Sequence, residues 1–214
     1  MSWEKMQGKS RAEAIGGKFL WRRKGKNGDF SRDNGRPAPS TIIGAAVAGD
    51  MKTQFPWFFW LFVAAFGIHN FEEALLLPAW SRTAGKFHKR VGTFEFVFAL
   101  IVLTALSVVI TVLFHSAGKQ SLPAYLYFAF NFGMLVNVVF PHLTATIAMN
   151  KYCPGLLTGL LLVAPTTTLI LLYGHEHAFF LFPKFWLVAI PFAVLLVSLI
   201  PVLFALGRKL QRLS

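Results

Sequence analysis

Residues 56–77 read Pro56-Trp57-Phe58-Phe59-Trp60-Leu61-Phe62-Val63-Ala64-Ala65-Phe66-Gly67-Ile68-His69-Asn70-Phe71-Glu72-Glu73-Ala74-Leu75-Leu76-Leu77, a membrane-spanning run with a polar break inside it. As an α-helix at about 1.5 Å per residue it is roughly 33 Å long, enough to cross a hydrocarbon core of about 30 Å. His69 then falls about 4–5 Å beyond the midpoint, and Glu72 and Glu73 about 9–11 Å beyond it. A carboxylate at that depth costs on the order of 2.5–3.5 kcal/mol on insertion scales, so it must face protein, water or a metal. Positions i, i+3 and i+4 share one helix face, so His69, Glu72 and Glu73 are expected to converge.

The rest of the chain agrees with a membrane setting. Hydrophobic residues make up 55% of it, with 23 Phe against only 9 acidic residues. Five stretches, roughly 56–77, 94–114, 124–149, 155–173 and 185–206, are long and apolar enough to span. An all-α polytopic bundle of about five transmembrane helices follows. A membrane β-barrel would instead show short alternating strands. Pro191 and Pro201 lie within the fifth stretch, where neighbouring helices can satisfy the freed carbonyls. Cys153 is alone, which excludes a disulfide framework and a thiolate metal site.

The formal charge of +12 would suggest nucleic acid in a soluble chain. Here 10 of the 21 basic residues precede Met51 and the others mostly flank helices. In those places they act as topology signals, so nucleic acid is not an expected partner. Residues 1–50 are expected to be a basic, disordered segment, and residues 51–214 a helical transmembrane domain. Met51-Lys52-Thr53-Gln54 leads straight into a span, so an over-extended gene start is the alternative for residues 1–50. Without that segment, Lys52, Lys119 and Lys184 lie on one side and the remaining eight basic residues on the other. The positive-inside rule then puts the carboxyl terminus in the cytoplasm, and counting the basic segment reverses this. Glu72, Glu73, Glu95, Asn137 and His142 fall toward one membrane face in either case.

His69, Glu72 and Glu73 could hold a divalent metal, since imidazole and carboxylate suit zinc, iron or manganese. In di-iron bundles the carboxylate precedes the histidine, the reverse of the order here. A His-Glu-x-x-His zincin helix needs two histidines from one helix. A proton relay and a purely structural polar cluster therefore stay open beside a metal site. His142 is the best partner to complete the group. Pro141 before it leaves the Asn137 carbonyl unpaired and should kink the helix. A kink is required, because Asn137 and His142 lie about 140° apart on a straight helix. Asn131 reads as packing, and His175-Glu176-His177 as a solvated loop on the opposite face. His88 and His115 are loop or helix-end residues. Glu95 reads either as support for the site or as an interfacial residue. Tyr152-Cys153-Pro154-Gly155 reads as a tight turn that makes the third and fourth helices antiparallel, with Tyr152 able to reach back toward the pocket.

These residues together resemble the small bacterial membrane proteins named for a His-x-x-Glu-Glu motif, the HXXEE family. The signature here is His69-Asn70-Phe71-Glu72-Glu73 followed by Leu77-Pro78-Ala79-Trp80. Further matches are Asn137, Pro141-His142 and Tyr152-Cys153-Pro154-Gly155-Leu156-Leu157-Thr158. The resemblance covers about residues 51–206 and leaves residues 1–50 unmatched. It implies a helical integral membrane protein of a bacterial cytoplasmic membrane, of unassigned activity, whose motif residues form a site.

The leading expectation is a metal-dependent membrane enzyme acting on a lipid-like substrate, with membrane lipids as its surroundings. His69, Glu72, Glu73 and His142 would be the ligands of zinc, iron or manganese. Water acidified by the ion would be the nucleophile. Glu72 or Glu73 would serve as general base, and Asn137 would orient substrate or a ligand. The rivals are a small proton-coupled transporter, in which the glutamates alternate protonation, and a non-catalytic assembly protein. No internal symmetry supports a carrier built of inverted repeats. A purely structural cluster should tolerate Glu72→Gln and Glu73→Gln with little loss of fold.

Overall fold

Proline, glycine and serine set where each helix begins. The computed structural model describes residues 56–85 and 90–213. Helix α1, Trp57–Ser81, starts directly after Pro56. Helix α2, Thr93–Ser116, is capped from within, as Glu95 Oε1 accepts the Gly92 N–H at 2.8 Å. Helix α3, Leu122–Met149, opens with Pro123 in its first turn, and Ser121 Oγ accepts the Ala124 N–H at 3.3 Å. Helix α4, Leu156–Glu176, follows Gly155, whose φ of 91° is readily adopted only by glycine. Helix α5, Phe182–Gln211, carries Pro183 in its first turn, where a missing N–H breaks no helical bond. All five are long and apolar enough to cross a membrane. No strand occurs among the described residues, so the all-α reading stands. The expectations for residues 1–50 and for His88 lie outside the described residues.

Two departures from the sequence reading matter for the site. Helix α1 does not stop at Leu77 but continues through Pro78 to Ser81. Pro78 sits in the last turns, where its missing N–H deprives only one carbonyl. There Ser81 Oγ donates to the Pro78 carbonyl at 2.9 Å and accepts the Val91 N–H at 3.2 Å. His69 is therefore at the centre of the 25-residue helix rather than beyond it. The second departure concerns Pro141, where the expected kink takes the form of a π-helical stretch, Val138–Leu143. Phe140 within it leaves helical geometry at φ −130° and ψ 115°. Helix α4 opens in the same way over Gly159–Val163. The two stretches meet at Gly159, where an added Cβ would lie 3.2 Å from Val138.

Helices α1 to α4 form a ring in which α1 packs on α2 and α4, and α3 packs on the same two. Helices α1 and α3 thus face each other across the interior, while α5 lies outside against α2 and α3. Lipid tails are as apolar as leucine, so close packing rather than water exclusion holds such helices together. Aromatic side chains make up 12 of the 21 buried residues in the larger hydrophobic cluster. Phe114 stacks on Tyr127 with centroids 4.5 Å apart, and Phe62 meets Phe130 edge-on at 5.3 Å. The buried Tyr127 hydroxyl donates to the Phe59 carbonyl at 2.7 Å, which joins α3 to α1. Asn131 donates to the Tyr127 carbonyl at 2.9 Å and belongs to packing, as read from sequence. The outer surface is apolar: Leu187, Val197 and Phe71 are all more than half exposed.

Close approach of α4 to α3 requires glycine at position 174. A Cβ there would fall 2.2 Å from Phe128 Cε1, and Phe128 is itself enclosed by Phe114, Phe179 and Phe180. Gly174→Ala should therefore cost about 1–3 kcal/mol through overpacking. The check is thermal unfolding in detergent, where an unchanged transition would show that the two helices do not approach this closely.

Candidate metal centre

The first turn of α4 begins at a glycine, which has no side chain to satisfy the turn's free N–H groups. Glu72 of α1 supplies the missing acceptor. Its Oε1 accepts the Gly155 N–H at 2.9 Å and the hydroxyl of Tyr152. Its Oε2 accepts the Thr158 N–H at 3.0 Å and the Thr158 hydroxyl at 2.6 Å. Each oxygen takes two donors, which fills the accepting capacity of a carboxylate. Negative charge at a helix amino terminus is further favoured by the helix dipole.

Glu73, one residue on, turns to the interior. Its Oε1 lies 3.2 Å from His142 Nε2 and 3.9 Å from His69 Nε2. The two imidazoles meet edge-on with centroids 5.1 Å apart. One donor atom from each of His69, Glu73 and His142 falls within 4.8 Å of the others, and this group could hold a metal ion. Tetrahedral ligation at about 2.0–2.1 Å separates donor atoms by about 3.3 Å. The observed separations are at or somewhat above that value. The donor chemistry also fits, because His69 Nε2 is fully buried and has no hydrogen-bond partner among the described residues. A buried nitrogen left in that state is an unmet polar group.

The kink in α3 does what the sequence required of it. Asn137 and His142 come together, with Asn137 Nδ2 3.0 Å from His142 Nε2. Gly155 closes the site from the α4 side, where a Cβ would stand 2.6 Å from His142 Cε1 and 2.9 Å from His69 Cε1. Gly155 is thus needed for its positive φ and also for the space it leaves to two rings. Cys153 Sγ lies 3.8 Å from His142 Nδ1. Burial, with Glu73 and Glu72 nearby, pushes its pKa up to about 11, so it stays a neutral thiol. Burial and the bond to Glu72 push Tyr152 up to about 12, so its phenol remains a donor. Tyr152 also accepts the Leu157 N–H at 3.2 Å.

Of the residues singled out from sequence, His69, Glu73, His142 and Asn137 are brought together. Glu72 shares their helix face but is directed to α4 and lies outside the group of three. Asn70 ties α1 to α2 through Thr104 Oγ1 at 2.7 Å. Glu95 caps its own helix, which accounts for its position at the mouth of α2. His115 stacks on Trp60, and His177 on Tyr173, so both serve aromatic packing. His175, Glu176 and His177 are exposed at the other end of α4. Thr158 carries no site signal by itself in the sequence, and Gly155 reads there only as a turn residue. Both stand in the Tyr152–Thr158 stretch that carried the family resemblance, which was the available signal.

Glu72→Gln puts an amide NH₂ against groups that themselves donate. It should lower stability by about 1–3 kcal/mol, because a buried donor loses its acceptor. Glu73→Gln should leave the same thermal transition nearly unchanged. Equal transitions for wild type and Glu72→Gln in detergent would mean that Glu72 is not the cap of α4.

Comparison with known proteins shows the family to which the chain belongs. A family model described as protein of unknown function with HXXEE motif matches residues 60–170, a range that includes every residue of the site. The chain is 36% identical over 155 residues to the uncharacterized protein YrkK of Bacillus subtilis (strain 168), covering 72% of this chain and 98% of that relative. No solved structure matches. With five candidate membrane helices among its described residues and His69-Asn70-Phe71-Glu72-Glu73 at the heart of Trp57–Ser81, the chain, matched over this range, belongs to the HXXEE-motif family.

Proposed function

We propose that this protein is a metal-dependent membrane hydrolase acting on a lipid-like substrate, with His69, Glu73 and His142 as the ligands. The observation that carries the reading is the buried Nε2 of His69, which lacks a hydrogen-bond partner among the described residues and faces a carboxylate and a second imidazole. Two imidazoles and one carboxylate form the donor set of three-ligand catalytic zinc sites, which keep a further position open. The same donors also accept iron or manganese. An ion bound there would supply Lewis acidity and make water a competent nucleophile at neutral pH.

The chain's own groups take the remaining roles. Glu72 has both oxygens engaged, so the general-base role expected of one glutamate falls to the oxygen of Glu73 that does not bind the ion. Asn137, beside His142, orients the substrate or a ligand through its amide. The site lies level with the centre of α1, inside a bundle whose outer surface is apolar. A substrate that reaches this depth enters from the bilayer, and the exposed Phe140 and Tyr152 flank the route beside His142 and Glu72. The relative comes from a bacterium, and the reading places the protein in the cytoplasmic membrane of such a cell. The engagement of Glu72 weighs against a carrier in which both glutamates exchange protons. The unpartnered His69 nitrogen weighs against a purely structural cluster.

Elemental mass spectrometry on detergent-purified protein tests the metal. Wild type should carry near-stoichiometric zinc, iron or manganese, and His69→Ala, His142→Ala and Glu73→Gln should each lose it. A folded wild type without metal, even after supplementation with each ion, would overturn the reading.

A further inference from the structure

We infer that Thr158 is a positioning residue, the middle member of a Glu72–Thr158–His69 relay that fixes the tautomer of His69 and aims its bare Nε2 at Glu73 and His142. The inference rests on the metal reading for its purpose but not for its geometry. The Thr158 hydroxyl has a single hydrogen and lies between two partners, Glu72 Oε2 at 2.6 Å and His69 Nδ1 at 3.2 Å. Glu72 already receives the Tyr152 hydroxyl and two backbone N–H groups, so it acts as an acceptor toward Thr158 as well. The Thr158 hydrogen therefore goes to Glu72, and its oxygen is left to accept from His69. It follows that Nδ1 carries the His69 proton and Nε2 carries the lone pair. This is the reverse of the tautomer that neutral imidazole side chains favour in water.

The absence of a hydrogen-bond partner at His69 Nε2 among the described residues then has a cause. Carboxylates that orient ligating histidines are a general device of metal sites. Here the carboxylate acts through an intervening hydroxyl, and the same carboxylate caps the helix that carries that hydroxyl. The two adjacent glutamates thus divide the work: Glu73 faces the ion position, and Glu72 holds the histidine behind it. Because Thr158 lies in the first turn of α4, the docking of α4 onto α1 and the orientation of His69 are set by one contact.

Nitrogen-15 NMR of histidine-labelled, metal-free protein in detergent reads the tautomer directly, with His69 assigned by its loss in His69→Ala. Wild type should show His69 protonated at Nδ1 and bare at Nε2. Thr158→Val, of nearly equal shape, should lose that preference, and Thr158→Ser should keep it. In chelator competition with zinc, Thr158→Val should weaken binding about 10–100-fold, while Thr158→Ser stays within a few-fold of wild type. An Nε2-protonated His69 in wild type, or a Thr158→Val protein with the wild-type tautomer, overturns the relay. The wild-type spectrum and Thr158→Ser keep the test decisive if Thr158→Val fails to fold. A wild-type tautomer that depends on Thr158 in a protein that binds no zinc upholds the relay and discards the metal reading.

Discussion

Placing Glu72 within a membrane-spanning helix costs on the order of 2.5–3.5 kcal/mol before a partner is found, and much of this half of the bundle follows from how that cost is offset. The partner is the amino terminus of α4, a helix whose first residue follows a glycine and has no cap of its own. One carboxylate thereby meets two needs, its own burial and the open N–H groups of α4. The turn before α4 is built to allow this. Gly155 takes a positive φ and leaves space for two imidazoles, and Tyr152 folds back to donate to the same oxygen.

The two ends of the interior show how a membrane protein can separate stability from chemistry. Around Phe59, Phe62, Phe114 and Tyr127 the space is filled by edge-on and stacked rings, and the buried Tyr127 hydroxyl finds a backbone carbonyl. Such packing sets the distance between α1 and α3. Toward the other face the same two helices are held at that distance, but the space between them contains His69, Glu73 and His142. The π-helical stretches of α3 and α4 lie at this level, and the resulting change of direction turns His142 inward beside Asn137. Rigid aromatic packing at one end thus supports an interior polar group at the other. Irregular helix geometry of this kind recurs at functional sites.

Much of this was legible in the chain. Helix count follows from apolar length, because only a run of about twenty apolar residues spans a bilayer. The kink at Pro141, and its consequence for Asn137 and His142, follow from the missing N–H and from helical phase. Helix ends were less legible. Pro78 looks like a stop but lies in a turn that tolerates it, because Ser81 and Val91 tie the chain down nearby. Thr158 carries no signal in isolation, since a threonine at the start of an apolar helix is ordinary. Glu95 was ambiguous for a related reason: whether a carboxylate near a helix start serves its own helix depends on rotamer and neighbours.

The sequence by itself determined an all-helical membrane protein, its family and the set of polar residues gathered toward one face, because apolar length, proline chemistry and motif spacing are properties of the chain. It could not separate the roles of Glu72 and Glu73, which are adjacent and equally costly to bury. Tertiary structure decided that. A helix face some tens of degrees wide admits both carboxylates, and only the position of α4 and the bend in α3 determine which meets a row of N–H groups and which meets two imidazoles.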